Sequence, residues 1–218
     1  MKGLLVKEFL GTKSFFRIYI FIIAICLIPM IATGDGEFSA GFATGICTFI
    51  GGMMCFTSFA YDASSRWDKF VLTLPYTRRQ IVGSKYAFSL IMVGIGMGIG
   101  FALNLVFAAA RVATIDMEVA AVMAMLVSFA FLFISIVIPL IYKFGVEKSR
   151  IVVIIIFLVP FMAFIAISNT MESGVEGGFA GSLQSMLPLL MWLLPLIGVA
   201  ALAVSYQIAV RVYRNKEV

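Results

Sequence analysis

The sequence predicts an all-α polytopic membrane protein with six transmembrane helices. Of its 218 residues, 62% are hydrophobic and only 12% charged, where a soluble domain holds roughly half and a quarter. Six apolar stretches approach the ~20 residues that a helix needs to cross a bilayer core. They run from about Phe15 to Thr33, Ser39 to Ala60, Tyr86 to Ala110, Val119 to Tyr142, Ile151 to Ser168 and Met186 to Val210, in a single transmembrane domain over 1–218. Runs such as "RIVVIIIFLVPFMAFIAI" lack the apolar–polar alternation of barrel strands, so the spans are helices whose backbone groups satisfy one another.

The first stretch is too long for the apolar part of a signal peptide and five more follow, which makes it a retained span. Cys26, Cys47 and Cys55 all fall inside spans; their odd number and spacing suggest neither a disulfide framework nor zinc, and they read as small apolar fillers.

Charge sets the orientation. Lys2, Lys7, Lys13 and Arg17 lie at the start of the first span, and Arg66, Lys69, Arg78, Arg79 and Lys85 between the second and third. Lys143, Lys148 and Arg150 separate the fourth and fifth, and Arg211, Arg214 and Lys216 follow the sixth, leaving Arg111 alone on the other side. Basic residues in short loops stay cytoplasmic, so both termini are expected inside. Asp35, Glu37, Asp116, Glu118, Glu172 and Glu176 then face outward, while Glu8, Asp62, Asp68, Glu147 and Glu217 lie within. The net charge of +5 thus divides into two opposed faces, and the basic residues read as anchors to anionic membrane lipid rather than to nucleic acid.

No Asp, Glu, Lys or Arg sits near the middle of a span and the chain holds no His. Ion-coupled carriers keep ionisable groups at membrane depth, so this pattern argues against a secondary transporter or pump. Without His, Ser58, Ser128, Ser135 and Ser205 have no base to activate them, and no catalytic or metal-ligating constellation is visible.

Within the third span, "VGIGMGIGF" contains two interleaved GxxxG pairs, Gly94 with Gly98 and Gly96 with Gly100. Such pairs let helix backbones approach closely, within one chain or between two. A phosphate cradle would need Gly at Ile99 and a βαβ context. Gly41 and Gly45 offer a second small face, and Gly51-Gly52 a flexible point. Pro139, Pro160 and Pro195 mark kinks, either moving or static. Asn104 reads as an interhelical hydrogen bond, and the 13 Met residues as adaptable apolar filler or path.

The longest stretch unlike the rest is "SSRWDKFVLTLPYTRRQIVGSKY", residues 64–86. Ser65 with Asp68 forms a variant of the capping box. Trp67, Phe70, Val71 and Leu74 follow at i, i+3, i+4, i+7 as one apolar stripe, with Arg66, Asp68 and Lys69 on the other faces. Pro75 stops this helix and Thr77 with Gln80 caps the next. Two readings of the short helix stay open: one lying in the membrane interface, and one docked in a groove of a cytosolic partner.

The run from Asp62 through "SRWDKFVLTLPYTRRQIVGSKY", after two spans and an amino terminus reading "MKGLLVKEFL", resembles permeases of type-2 ABC exporters. Within that family it resembles the small six-span permeases that include the phenol-soluble modulin exporter. The specific residues are Asp62, Trp67-Asp68, Leu74-Pro75, Arg78 or Arg79, and Lys85-Tyr86. The resemblance implies that the loop 61–85 carries a coupling helix seated on a separate cytosolic ATPase. Arg66, Trp67, Asp68, Lys69, Phe70, Val71 and Leu74 would form that contact. It also implies pairing of two permeases, an amino-terminal elbow along the inner membrane surface, residence in the bacterial cell membrane and an amphipathic peptide as cargo. Leu5, Phe9 and Phe16 fall near one face of that elbow, with imperfect amphipathicity. ATP and Mg would belong to the partner, because "IVGSK" lacks the remaining residues of a phosphate loop and this chain holds no motor of its own. The alternative is a non-transporting membrane immunity, sensor or scaffold protein.

Overall fold

A computed structural model describes residues 3–13, 17, 20, 21, 24, 36–71, 73–109, 117–156, 158 and 178–215; the side chains of 36–43, 68, 69, 107, 117–122, 178–192 and 215 lie outside that description. Every regular element among the described residues is helical. In chain order they are α1 (3–13), α2 (Gly36–Ser64), α3 (Trp67–Val71), α4 (Arg78–Ala109), α5 (Met117–Phe144), α6 (146–156) and α7 (Gly178–Asn215).

Among the described residues, four helices are long and apolar enough to cross a membrane, over Thr44–Ser64, Arg78–Val106, Met123–Phe144 and Leu193–Arg214. They correspond to the second, third, fourth and sixth expected spans. The first span lies mostly outside the described residues, as do the second half of the fifth, the acidic outer loops, Cys26 and Pro160. Each observed helix outruns its apolar stretch: α4 begins at Arg78 rather than Tyr86. The cause is the Thr77 cap. Thr77 N–H donates to Gln80 Oε1 at 3.1 Å and Gln80 N–H to Thr77 Oγ1 at 3.3 Å, the reciprocal box expected from the sequence.

Helices α2 and α4 pack along one another, as do α5 and α7, and the two pairs close against each other through α2–α5 and α4–α7 contacts. The α2–α4 approach is the tight one, with glycine on both sides. A Cβ on Gly100 would lie 2.7 Å from Thr44 Cγ2, and one on Gly51 would lie 2.5 Å from the Met92 carbonyl oxygen. Gly51 is therefore a packing residue where the sequence suggested a flexible point. Of the two GxxxG pairs, Gly96 and Gly100 are buried toward the bundle, whereas Gly94 and Gly98 are exposed with nothing within 4 Å of an added Cβ. Asn104 makes the expected interhelical bond, donating to Thr44 Oγ1 at 2.7 Å as well as to the Gly100 carbonyl at 2.8 Å.

The larger core among the described residues includes residues of the connection between α2 and α4. Val71 and the half-buried Trp67 and Tyr76 pack with Phe59, Val82, Phe133, Ile138, Tyr142 and Tyr213. A smaller cluster of Met54, Phe88 and Met92 receives Leu5 and Phe9 of α1, with the Phe9 and Phe88 rings edge to face at 5.4 Å. The uneven amphipathicity of α1 has a structural reason. Its inward face carries Leu4, Glu8 and Thr12 at successive turns, and its outward face carries Val6 and Leu10.

Candidate functional site

Lys7 and Glu8 come from α1, Ser58 and Asp62 from one face of α2 a turn apart, and Lys85 from the second turn of α4. Lys85 Nζ lies 2.8 Å from Glu8 Oε1 and pairs with Asp62 Oδ2, while donating to Ser58 Oγ at 2.6 Å. Lys7 Nζ pairs with Asp62 Oδ1 and, at 3.1 Å, with Glu8 Oε1. Ser58 in turn donates to Glu8 Oε2. Two cations thus share two carboxylates, and the quartet sums to zero.

Glu8, Asp62 and Lys85 are all buried, with residue exposures of 3%, 4% and 4%. Isolated, such charges would cost several kcal/mol each, and reciprocal pairing with saturated hydrogen bonds offsets that cost. Burial opposes the ionisation of Glu8. Lys85 and then Lys7, together with hydrogen bonds from Lys85 and Ser58, outweigh it and hold the carboxyl below its ordinary value. Aromatic faces complete the shell: Lys85 Nζ sits 4.7 Å from the Phe59 ring and Lys7 Nζ 4.5 Å from the Trp67 ring. Through Trp67 the short helix α3 rests directly on the quartet.

A second set of bonds links the same end of α4 to α5 and α7. Pro139 lies inside α5 and has no amide hydrogen to give the carbonyl four residues before it, that of Ser135. Ser205 of α7 donates to that carbonyl at 2.6 Å, and its Oγ lies 2.6 Å from Tyr86 Oη, the neighbour of Lys85. The carbonyl that Pro139 leaves without an amide partner is thereby satisfied from α7 and linked to α4. Nearby, Arg78 donates from Nη1 to the carbonyls of Tyr213 and Arg214 at 3.0 and 2.6 Å, closing the carboxyl end of α7.

The residues expected to meet a partner do not form one surface. Val71 is fully buried and Trp67 and Leu74 half-buried, so the first two belong to the core; Phe70 is 56% exposed. At about 100° per residue, position 70 falls about 80° from the direction midway between 67 and 71, at the edge of the buried face, where its ring is exposed yet stays 5.4 Å from that of Trp67. The expected stripe therefore divides into a buried residue, Val71, and an exposed one, Phe70. Arg66 is exposed in the left-handed region at φ 51°, where it breaks α2 from α3. Ser65 finishes α2, donating through Oγ to the Tyr61 carbonyl at 2.8 Å, and the side chains of Asp68 and Lys69 lie outside the described residues. What α3 and the turn before it present outward among the described side chains is Phe70 and Arg66.

The quartet itself is not legible in the sequence, which reads Lys7 and Lys85 as lipid anchors, places Glu8 and Asp62 only on the inner side, and joins Asp62 and Lys85 through a family resemblance alone. One signal was present: Ser58 and Asp62 at i, i+4 place a polar edge on the end of an apolar helix. Among the described residues no cluster of His, Cys, Asp and Glu is arranged to hold a metal ion.

A family model described as ABC-2 family transporter protein matches residues 3–214. No curated protein matches the chain.

Proposed function

The chain belongs to the ABC-2 family of transporter proteins, and on that premise we propose that it is the permease subunit of an ATP-driven exporter, moved by a separate cytosolic ATPase that grips α3. The observation that carries this reading is the division of α3 into two faces. Phe70 and Arg66 are turned outward, while Val71 and Trp67 are built into the core and the charge quartet. A partner holding the outer face therefore acts on α1, α2 and α4 together. A two-state tilt of packed helices then follows from closure of the ATPase.

The translocation path is formed with a second copy of the chain, in the cell membrane with both termini cytoplasmic, and an amphipathic peptide is the proposed cargo. ATP and Mg act on the partner subunit. The pattern of basic loops supports the orientation, and the absence of charge from the middle of the apolar spans supports a cargo with apolar surface.

The test is Phe70→Ala with Arg66→Ala, in cells that express the chain with its ATPase. Insertion and folding should be unchanged, while ATPase co-purification and ATP-dependent efflux fall at least tenfold. Full retention of both activities sinks the role of α3. Stable accumulation with no ATPase bound to the wild-type chain favours the non-transporting alternative.

A further inference from the structure

Between the start of α4 and the end of α7 lies an open groove of about 930 Å³, lined by Arg78, Arg79, Arg211 and Arg214 with Tyr206 and Gln207. We propose that this groove binds the phosphate headgroup of an anionic phospholipid, one acyl chain of which runs along α7. Neither the quartet nor α3 contributes to its lining.

Three observations converge on that ligand. First, the charge is uncompensated: among the described residues no carboxylate lies within 4 Å of any of the four guanidiniums. Arg78 is committed to α7 carbonyls, which fixes the groove's back wall, whereas Arg79, Arg211 and Arg214 are exposed. Second, the wall is held rigid. Tyr206 Oη donates to the Arg79 carbonyl at 3.2 Å, bridging α7 to α4. Third, the groove is continuous with apolar surface. On α7, Leu196 and Val199 are exposed at 69% and 55%, and spacings of three and four carry their face through Ala203 and Gln207 to Arg214. Guanidinium forks match phosphate oxygens bidentately. A soluble phosphate would use the arginines and leave the apolar run unused, and so would an acidic peptide. A phospholipid uses both.

The test uses the purified full chain in neutral detergent, with native mass spectrometry during titration of phosphatidylglycerol or phosphatidylcholine. It requires neither ATPase nor transport. Wild-type chain should retain phosphatidylglycerol about thirtyfold or more better than phosphatidylcholine, as two or three basic contacts at about 1 kcal/mol each imply. Arg211→Gln with Arg214→Gln should abolish that preference, and Arg79→Gln alone should reduce it. Lys143→Gln with Lys148→Gln, exposed charges elsewhere, should leave it intact. Free glycerol phosphate at the same concentration should not displace the lipid. The proposal is overturned by equal retention of the two lipids or by a preference that survives loss of Arg211 and Arg214. It is equally overturned if the lysine pair abolishes the preference, or if glycerol phosphate or an acidic peptide from the ATPase competes as well as the lipid.

Discussion

Lys85 Nζ lies 2.8 Å from Glu8 Oε1, joining the amino-terminal helix to α4 inside a site from which water is largely excluded. With Asp62 and Lys7 completing the exchange, three separate stretches of chain are tied at one end of the bundle.

Lys85→Met removes one cation and leaves Glu8 and Asp62 sharing Lys7. Breaking a buried pair costs about 3–5 kcal/mol, because an uncompensated charge remains. Thermal unfolding in detergent should show that loss. Adding Glu8→Gln should recover a large part of it, since the remaining Lys7–Asp62 pair is balanced. A loss of under about 0.5 kcal/mol in the single variant would show that the quartet contributes little.

Acidification should weaken the same joint. The folded-state carboxyl of Glu8 is held below its ordinary value, so its contribution is present above the ordinary Glu range and is lost as the pH falls through the lower, folded-state value. A thermal midpoint followed from neutral pH downward should drop more steeply in the wild type than in Glu8→Gln.

Ser205→Ala strips the Ser135 carbonyl of its donor and Tyr86 Oη of its partner, both in buried surroundings. An unsatisfied buried polar group costs about 1–3 kcal/mol. In a Pro139→Ala background the amide of residue 139 supplies the missing bond to Ser135, so the cost of Ser205→Ala should shrink. Equal costs in the two backgrounds would argue against the carbonyl as the relevant acceptor.

Position along α4 should decide the effect of Gly→Ala. Gly100→Ala drives a methyl group into Thr44 and its backbone, where overpacking costs about 1–3 kcal/mol. Gly94→Ala meets open space and should be neutral, or stabilising by up to about 1 kcal/mol through helix propensity. Parallel thermal shifts separate the two.

Arg66→Gly should raise stability by about 1 kcal/mol, because a side chain in the left-handed region carries a steric cost that glycine lacks. A lower melting temperature for the variant would show that the guanidinium has a stabilising contact of greater worth.

The helices that were legible in the sequence are those whose signal is local. Apolar length gave the cores of α2, α4, α5 and α7, and Thr77 with Gln80 located the start of α4 because both halves of the cap lie within four residues. Asn104 was readable because an amide among apolar neighbours has few alternatives to a helix–helix bond. The division of α3 was not readable: a stripe defined by spacing alone is broad, and which edge packs depends on Phe59, Tyr142 and the rest of the core. The quartet escaped for a related reason. A Lys near a membrane boundary has the same composition signature whether it meets lipid or a carboxylate from a remote segment, and only the crossing of α1, α2 and α4 distinguishes them.

The quartet also constrains how the chain is made. Its first helix leaves the ribosome carrying Glu8 beside Lys7, and the second cation of the site, Lys85, arrives only when the start of α4 has been synthesised, two apolar stretches later. Until then the amino-terminal segment must stay in contact with solvent or with the insertion machinery. Truncated nascent chains ending before Lys85 should therefore remain protease-accessible at their amino terminus, and chains extended past it should become resistant.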